Sequence, residues 1–246
     1  MKRSEPIAVF AYAFAHRKTQ DFLIELAVAG YVNVTVIAAP WKELLHTDSK
    51  RYFSTTLRSA HALPIPAVCQ ALRFNFIECE HNDSERIAVL RDKAGFELGI
   101  ISGARIIKRE VIDLFNEGIL NIHPGKLPET AGLDTLFYTI TKGVAMGVTA
   151  HYIDHRVDAG DELFFEETII GSDDTVEVVQ SNNYQSQIRA LRKFIAARDK
   201  QSLVRCPVDR LQKNEPMTPE EKSNAISVFP SWRATQFQLQ QRRASS

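Results

Sequence analysis

Two short stretches of the chain carry side chains whose types and spacing suit acyl-group chemistry. They are Leu120-Asn-Ile-His-Pro-Gly-Lys-Leu-Pro128 and Val148-Thr-Ala-His-Tyr-Ile-Asp-His-Arg-Val-Asp-Ala-Gly-Asp161. In the first, an amide (Asn121) and an imidazole (His123) occupy alternate positions at the end of an apolar run that Pro124 closes. Strand alternation turns both to one face, and the proline leaves them at the strand's carboxyl end. Open α/β sheets bind their ligands at that edge. The second stretch adds a carboxylate, Asp158, on a glycine-containing loop that follows another apolar run.

Amide, imidazole and carboxylate together can pass an acyl group to an amine. Asn121 would donate to an oxygen that gains charge in a tetrahedral intermediate, a contribution of roughly 3–4 kcal/mol where such a donor is removed in other enzymes. An imidazole at position 123 either shares that stabilisation when protonated or relays a proton from the attacking amine. Asp158 would orient and charge-stabilise the imidazole, or take the amine proton through a water. The amine is itself the nucleophile, so no activated serine or cysteine is required. The same residues also fit plainer roles: Asn-x-His before proline is a common strand-end turn, and a lone Asp on a loop often closes an Asx turn. His151 and His155 straddle a strand-to-loop junction and form no two-histidine helix face, so no metal is expected.

The elements that must hold these groups follow from hydrophobic period. Ile7–Ala13 reads as a buried strand. Phe22, Leu23, Leu26 and Val28 then fall at helical spacing before Gly30, and Val32–Ala39 is a β-branched strand closed by Pro40. A short helix and an exposed loop are expected over 41–62, and a short helix over Ala67–Leu72. A strand follows at Asn75–Glu80, then a helix at Ser84–Lys93 capped by Ser84 or Asp83. Phe96–Ser102 and Ile119–Ile122 read as strands around a helix at Lys108–Asn116. Thr135–Lys142 is helical, and Val148–Ile153 and Glu162–Ile170 are closing strands. This alternation predicts an α/β fold: a Rossmann-like, mostly parallel sheet with helices on both faces, made mixed by the closing strands. Residues 1–171 read as the catalytic domain and 172–246 as a C-terminal helical extension. The extension starts with one long helix or two over Asp174–Arg198, continues in proline-punctuated pieces and ends in a Gln/Arg-rich tail expected to fray. Its apolar residues Phe229 and Trp232 either cover the domain or make a homodimer contact.

Composition narrows the function classes. Thirty basic residues balance thirty acidic ones over 246 residues, so no global field would hold a nucleic acid. Cys69, Cys79 and Cys206 are odd in number and lack CxxC spacing, which argues against a disulfide framework and fits a reducing cytoplasm. Lys2 and Arg3 ahead of Ile7–Ala15 faintly imitate a secretory leader, but Glu5 and Pro6 interrupt it, and a first strand is the reading taken. No stretch approaches the roughly 18–20 apolar residues that span a bilayer. The absence of GxGxxG after the first strand counts against dinucleotide binding. A non-catalytic folate- or nucleotide-binding domain stays open as the reading of another class.

The strings LNIHPGKLPETAGLDTLFYTITKG, starting at Leu120, and GVTAHYIDHRVDAGDEL, starting at Gly147, resemble the paired signatures of the folate-dependent formyltransferases. That family includes enzymes acting on methionyl-tRNA, on glycinamide ribonucleotide and on amino sugars. The resemblance covers residues 96–165 well, and the rest only through strand–helix order. It implies catalytic roles for Asn121, His123 and Asp158, and N10-formyltetrahydrofolate as formyl donor. The pterin would lie against the loop Ser102, Gly103, Ala104, Arg105, Ile106, Ile107 and the loop Asp154, His155, Arg156, Val157, mostly through backbone groups. Glycinamide ribonucleotide enzymes resemble one another in a Gly/Ser-rich phosphate loop after the first strand; here AYAFAHRKTQ, from Ala11, has no glycine. His16, Arg17 and Lys18 would instead grip a phosphate through side chains, or simply solvate a helix start. The tRNA enzymes continue into a basic β-barrel, whereas the chain after Gly171 is short and poor in strands. Formyltetrahydrofolate hydrolases usually begin with a regulatory domain. A small amine remains, most readily a nucleotide-linked amino sugar, with the hydrolase and the glycinamide ribonucleotide activity as alternatives. Ala131 stands where many relatives carry Arg before the glycine at 132, which weakens any transfer of acceptor contacts. Phe137 and Tyr138 either stack on a base or sugar or belong to the core.

Overall fold

The computed structural model of the chain describes residues 3–42, 62–156, 158–208 and 213–245. Val157 and most of the helix-and-loop region expected over 41–62 lie outside the described residues. Packing separates two compact units, 1–121 and 122–246.

The first unit contains strands β1 (Ile7–Tyr12), β2 (Val34–Ala39), β3 (Asn75–Glu78), β4 (Leu98–Ile101) and most of β5 (Gly118–His123). They run in the order β3-β2-β1-β4-β5, and the pairs are parallel. Helices α1 (Arg17–Val28), α2 (Ile65–Leu72), α3 (Ser84–Ala94) and α4 (Arg109–Ile112) connect them. Every residue of β2, and all of β1 except Tyr12, is buried. A parallel strand covered on both faces needs such an unbroken apolar run rather than alternation. Of the two caps expected for α3, Asp83 is the one used: its carboxylate accepts from Arg86 N at 3.1 Å. Register sets Val9 against Ile100, and Ile100 against Leu120. The carboxyl ends of β1, β4 and β5 therefore share one edge, which carries Tyr12, Ser102 and Asn121.

The second unit adds β6 (Gly147–Ile153), β7 (Gly160–Glu167) and β8 (Cys206–Val208), ordered β6-β7-β8 and antiparallel. Its helices are α5 (Thr135–Thr141), α6 (Val176–Asp199), α7 (Pro219–Ser227) and α8 (Phe229–Ala244). The β6–β7 register slips between Ala150 and His151. Such a slip re-aims the side chain beside it. The α/β class with parallel strands followed by antiparallel ones is as the sequence predicts. Strand β8 is an addition, because three residues containing Pro207 carry no periodic signal.

The expected frayed tail is instead helix α8, continuous to Ala244. Trp232, Gln236 and Gln240 recur every four residues on one face. Trp232 Nε1 donates to Val144 O (3.1 Å), Gln236 Nε2 to Gly143 O (3.2 Å) and Gln240 Nε2 to Thr168 O (2.8 Å). Gln240 also accepts from Ile170 N at 3.0 Å. These polar residues look solvated in a one-dimensional reading, yet they satisfy backbone groups that a packed helix would otherwise leave without water. Phe229 and Trp232 are each 5% exposed within the single chain, so they cover this unit. No helix among the described residues is long and apolar enough to cross a membrane.

Trp232→Ala removes both a buried ring and a hydrogen bond, and should cost about 3–5 kcal/mol in urea unfolding. Gln241→Ala on the exposed face should stay within about 0.5 kcal/mol. Equal effects would mean that α8 does not pack as described.

Candidate active site

β5 ends in His123, which is 3% exposed, and Asn121 precedes it by two residues on the same strand face, half-buried. The turn between β6 and β7 supplies Asp158. That residue sits at φ 51 in the left-handed region, which Asp tolerates better than most side chains. At Gly160, φ is 120, and a Cβ there would fall 2.0 Å from Tyr152 O. The Asp-x-Gly pattern thus has a backbone cause: position 160 passes against its own hairpin partner, where only glycine fits.

The structure brings His123 and Asp158 together. His123 Nδ1 lies 3.5 Å from Asp158 Oδ1, and Nε2 lies 3.0 Å from Thr130 O. The second carboxylate oxygen, Oδ2, accepts from Gly132 N at 2.7 Å. A carbonyl oxygen only accepts, so Nε2 carries a hydrogen. A ring protonated on both nitrogens is the form that satisfies both neighbours. Burial pushes the Asp158 carboxyl up, but the His123 hydrogen bond and charge, the Gly132 N–H and His151 outweigh it. The group is held below its ordinary range and is a carboxylate at neutral pH.

A second imidazole, His151, is completely buried, with Nδ1 3.3 Å from Ala159 O. Burial, then the charge of His123, pushes its pKa down to about 4. It is therefore neutral and donates to the backbone of the Asp158-bearing turn. Asp154 shapes the same turn, accepting from Arg156 N (2.7 Å) and Arg156 Nε (2.9 Å), while His155 and Arg156 are exposed. Among the described residues no cluster suited to a metal ion occurs.

In the first unit, the loop that leaves β4 has its side chains engaged internally. Ser102 is buried, its hydroxyl 3.0 Å from both Phe10 O and Thr19 Oγ1. A Cβ on Gly103 would press against the His16 ring at 2.8 Å. Arg105 donates to Glu80 (3.0 Å) and to Pro40 O (2.7 Å). Ala104 is half-buried and Ile107 buried. Asn82 clips the loop, donating to Ile106 O (2.9 Å) and accepting from Lys108 N (2.7 Å). At the end of β1, His16 caps α1 by accepting from Thr19 N. Burial, then the charge of Lys18, pushes its ring down to about 4. Arg17 pairs with Asp21 at 2.8 Å. His16 and Arg17 thus both have partners on α1. The Lys18 ammonium lies over the Phe22 ring at 5.1 Å, and burial lowers it to about 8.

A family model described as formyl transferase matches residues 44–194, more than half of the chain. The chain belongs to that family. It is 30% identical over 94 residues to methionyl-tRNA formyltransferase of Fusobacterium nucleatum, a match covering 38% of this chain and 30% of that one. It is 31% identical over 104 residues to phosphoribosylglycinamide formyltransferase of Bacillus subtilis, covering 36% and 53%. The matched part thus spans about a third to a half of these relatives. Among solved structures, phosphoribosylglycinamide formyltransferase from Streptococcus pneumoniae superposes with a TM-score of 0.58 at 20% identity, covering 79% of this chain and 99% of that one. A sugar N-formyltransferase from a Shewanella species superposes with a TM-score of 0.56 at 19% identity, covering 85% and 75%. At such identities the likeness is one of fold.

For this formyl transferase, reading from sequence missed Thr130, Gly132 and His151 as parts of the site. Gly132 was visible as a glycine in the first motif, but its partner lies 26 residues away in the chain. The His151 role needed the β6–β7 turn, whose Ala159 O lies 3.3 Å from its ring.

The two neutral rings give a pH prediction. In the unfolded chain His16 and His151 bind protons below about 6.5, and in the folded chain only near 4. The unfolded state binds more protons in between, so stability is complete above the upper value and declines as pH falls toward the lower one. For a ring that stays neutral, the loss from pH 6.5 to 5 is about 2 kcal/mol. Urea midpoints should therefore fall between pH 7 and 5, with a shallower fall in His151→Gln. A variant whose midpoints tracked the parent's would exclude the buried neutral His151.

Proposed function

We propose that this formyl transferase moves a formyl group from N10-formyltetrahydrofolate to the amine of a small acceptor, a nucleotide-linked amino sugar being the class favoured. The observation that carries the reading is the buried His123–Asp158 pair, two positions beyond Asn121 on one strand face. The acceptor nitrogen bonds to the formyl carbon while the carbonyl π pair moves to oxygen. The bond from that carbon to N10 then breaks, and N10 takes up a proton equivalent to the one the amine gives up. Asn121 donates its amide N–H to the developing oxyanion. His123, protonated and braced by Asp158, adds positive charge beside it. Because Nε2 is bound to Thr130 O, charge stabilisation fits this geometry better than a proton relay. Asp158, held as a carboxylate, balances that charge and accepts the amine proton through a water.

For the folate, the side chains of Ser102 and Arg105 have internal partners, Ser102 N and Gly103 N both donate to Phe10 O, and Ile106 O is taken by Asn82, so recognition would rest on the remaining main-chain groups of residues 102–107. Residues 154–156 would contribute likewise. This supports the backbone recognition that the family resemblance implies. For the acceptor, His16 and Arg17 are engaged within α1 and no glycine-rich loop follows β1. That favours an amino sugar over glycinamide ribonucleotide. Activity in the cytoplasm is part of the same proposal.

The test is tetrahydrofolate release from N10-formyltetrahydrofolate, followed by absorbance with and without nucleotide-linked amino sugars. Release that depends on one amino sugar supports the assignment; release without any amine means a hydrolase, and release only with glycinamide ribonucleotide means the other transferase. Asp158→Asn and His123→Asn should each abolish turnover while folate binding, read by fluorescence quenching, persists. Asn121→Ala should lower kcat roughly 10²–10³-fold. Near-parental turnover in any of the three would refute its assigned role.

A further inference from the structure

The segment after β8 is tied to the loop that carries Gly132. Asn214 N donates to Ala131 O at 3.1 Å. Its side-chain Nδ2 donates to Glu129 O (3.0 Å) and Ala131 O (2.9 Å), and its Oδ1 accepts from Lys142 Nζ at 2.6 Å. Lys142 Nζ also donates to Glu129 O at 2.7 Å. Gly132 and Asn214 form a parallel bridge. They approach so closely that a Cβ on Gly132 would lie 2.7 Å from Asn214 O. On the other side of Gly132, Asp134 accepts from Met217 N (2.9 Å) and pairs with Lys222 at 2.8 Å. That ion pair is largely shielded, its side chains 15–18% exposed.

These contacts bracket the Gly132 amide that donates to Asp158. Gly132 has φ 102, and residues 124–134 contain no helix or strand of their own. Local backbone preference therefore does not set the direction of the Gly132 N–H; partners from elsewhere must. Residues 214–222 supply them on both flanks. We propose that Asn214 is a positioning residue, which by fixing Gly132 sets the Asp158 carboxylate against His123. The C-terminal segment is then part of the catalytic apparatus rather than a cover for it. This rests on the His123–Asp158 reading of the site.

The test needs no acceptor. In the full chain labelled with ¹⁵N-histidine, the His123 ring resonances are assigned by their loss in His123→Gln, and Asp158→Asn serves as reference. Asn214→Ala should move the His123 Nδ1 resonance in the same direction as Asp158→Asn, by a smaller amount. Asn214→Asp keeps an acceptor for Lys142 but loses both Nδ2 donations, so it should do the same, and it carries the test if the alanine variant does not fold. Trp232→Phe removes the bond to Val144 O and part of a buried ring, far from Gly132 in sequence. It should lower the melting temperature and leave the resonance in place, which separates positioning from general stability. If Asp158→Asn moves the resonance and a folded Asn214 variant does not, the positioning role is overturned while the site reading stands. If Asp158→Asn leaves it unmoved, the pairing itself is absent and both fall.

Discussion

The carboxylate of Asp158 is mostly removed from water, and a buried charge is tolerated only when its oxygens have partners. One oxygen faces the His123 ring and the other takes the Gly132 N–H at 2.7 Å. Much of the unusual local geometry can be read as serving that second contact. The Gly132 amide has to point at a turn far along the chain, which places position 132 in a conformation that side chains avoid. Asp158 has to reach back from the left-handed region, and Gly160 has to let the hairpin close tightly behind it.

The neighbouring polar groups follow from the same constraint. Beside the register shift between β6 and β7, His151 spends its hydrogen on Ala159 O and stays neutral. Thr149 plays a comparable part for the first motif. Its hydroxyl donates to Gly125 O at 2.8 Å and accepts from Leu127 N at 3.1 Å, pinning the chain just after Pro124. A Cβ at Gly125 would run into Thr130 Oγ1 at 2.1 Å, so that loop is packed to the limit that glycine allows. Thr130 can then present its carbonyl to His123 Nε2.

The C-terminal third illustrates how polar residues acquire structural work. Gln236 and Gln240, which read as part of a solvated tail, donate to carbonyls at strand and turn ends, and Asn214 does so for the loop around Gly132. The helix propensity of a Gln/Arg-rich segment is adequate, but helices of that length are marginal without tertiary partners. Those partners come from residues 143–171, distant in sequence, so no local pattern could announce them.

The sequence by itself determined the α/β class and the parallel strands at the start, and it singled out Asn121, His123 and Asp158 as the candidates for chemistry. Strand period and apolar runs are local properties, and alternation alone places 121 and 123 on one face. Only the tertiary structure decided that His123 is clamped by Thr130 as well as Asp158. It alone also turned the Ser102 and Arg105 side chains inward, and made His16 a neutral helix cap. Each of those outcomes depends on burial and on which backbone group lies within hydrogen-bonding distance, and both are properties of the packed chain rather than of any stretch of it.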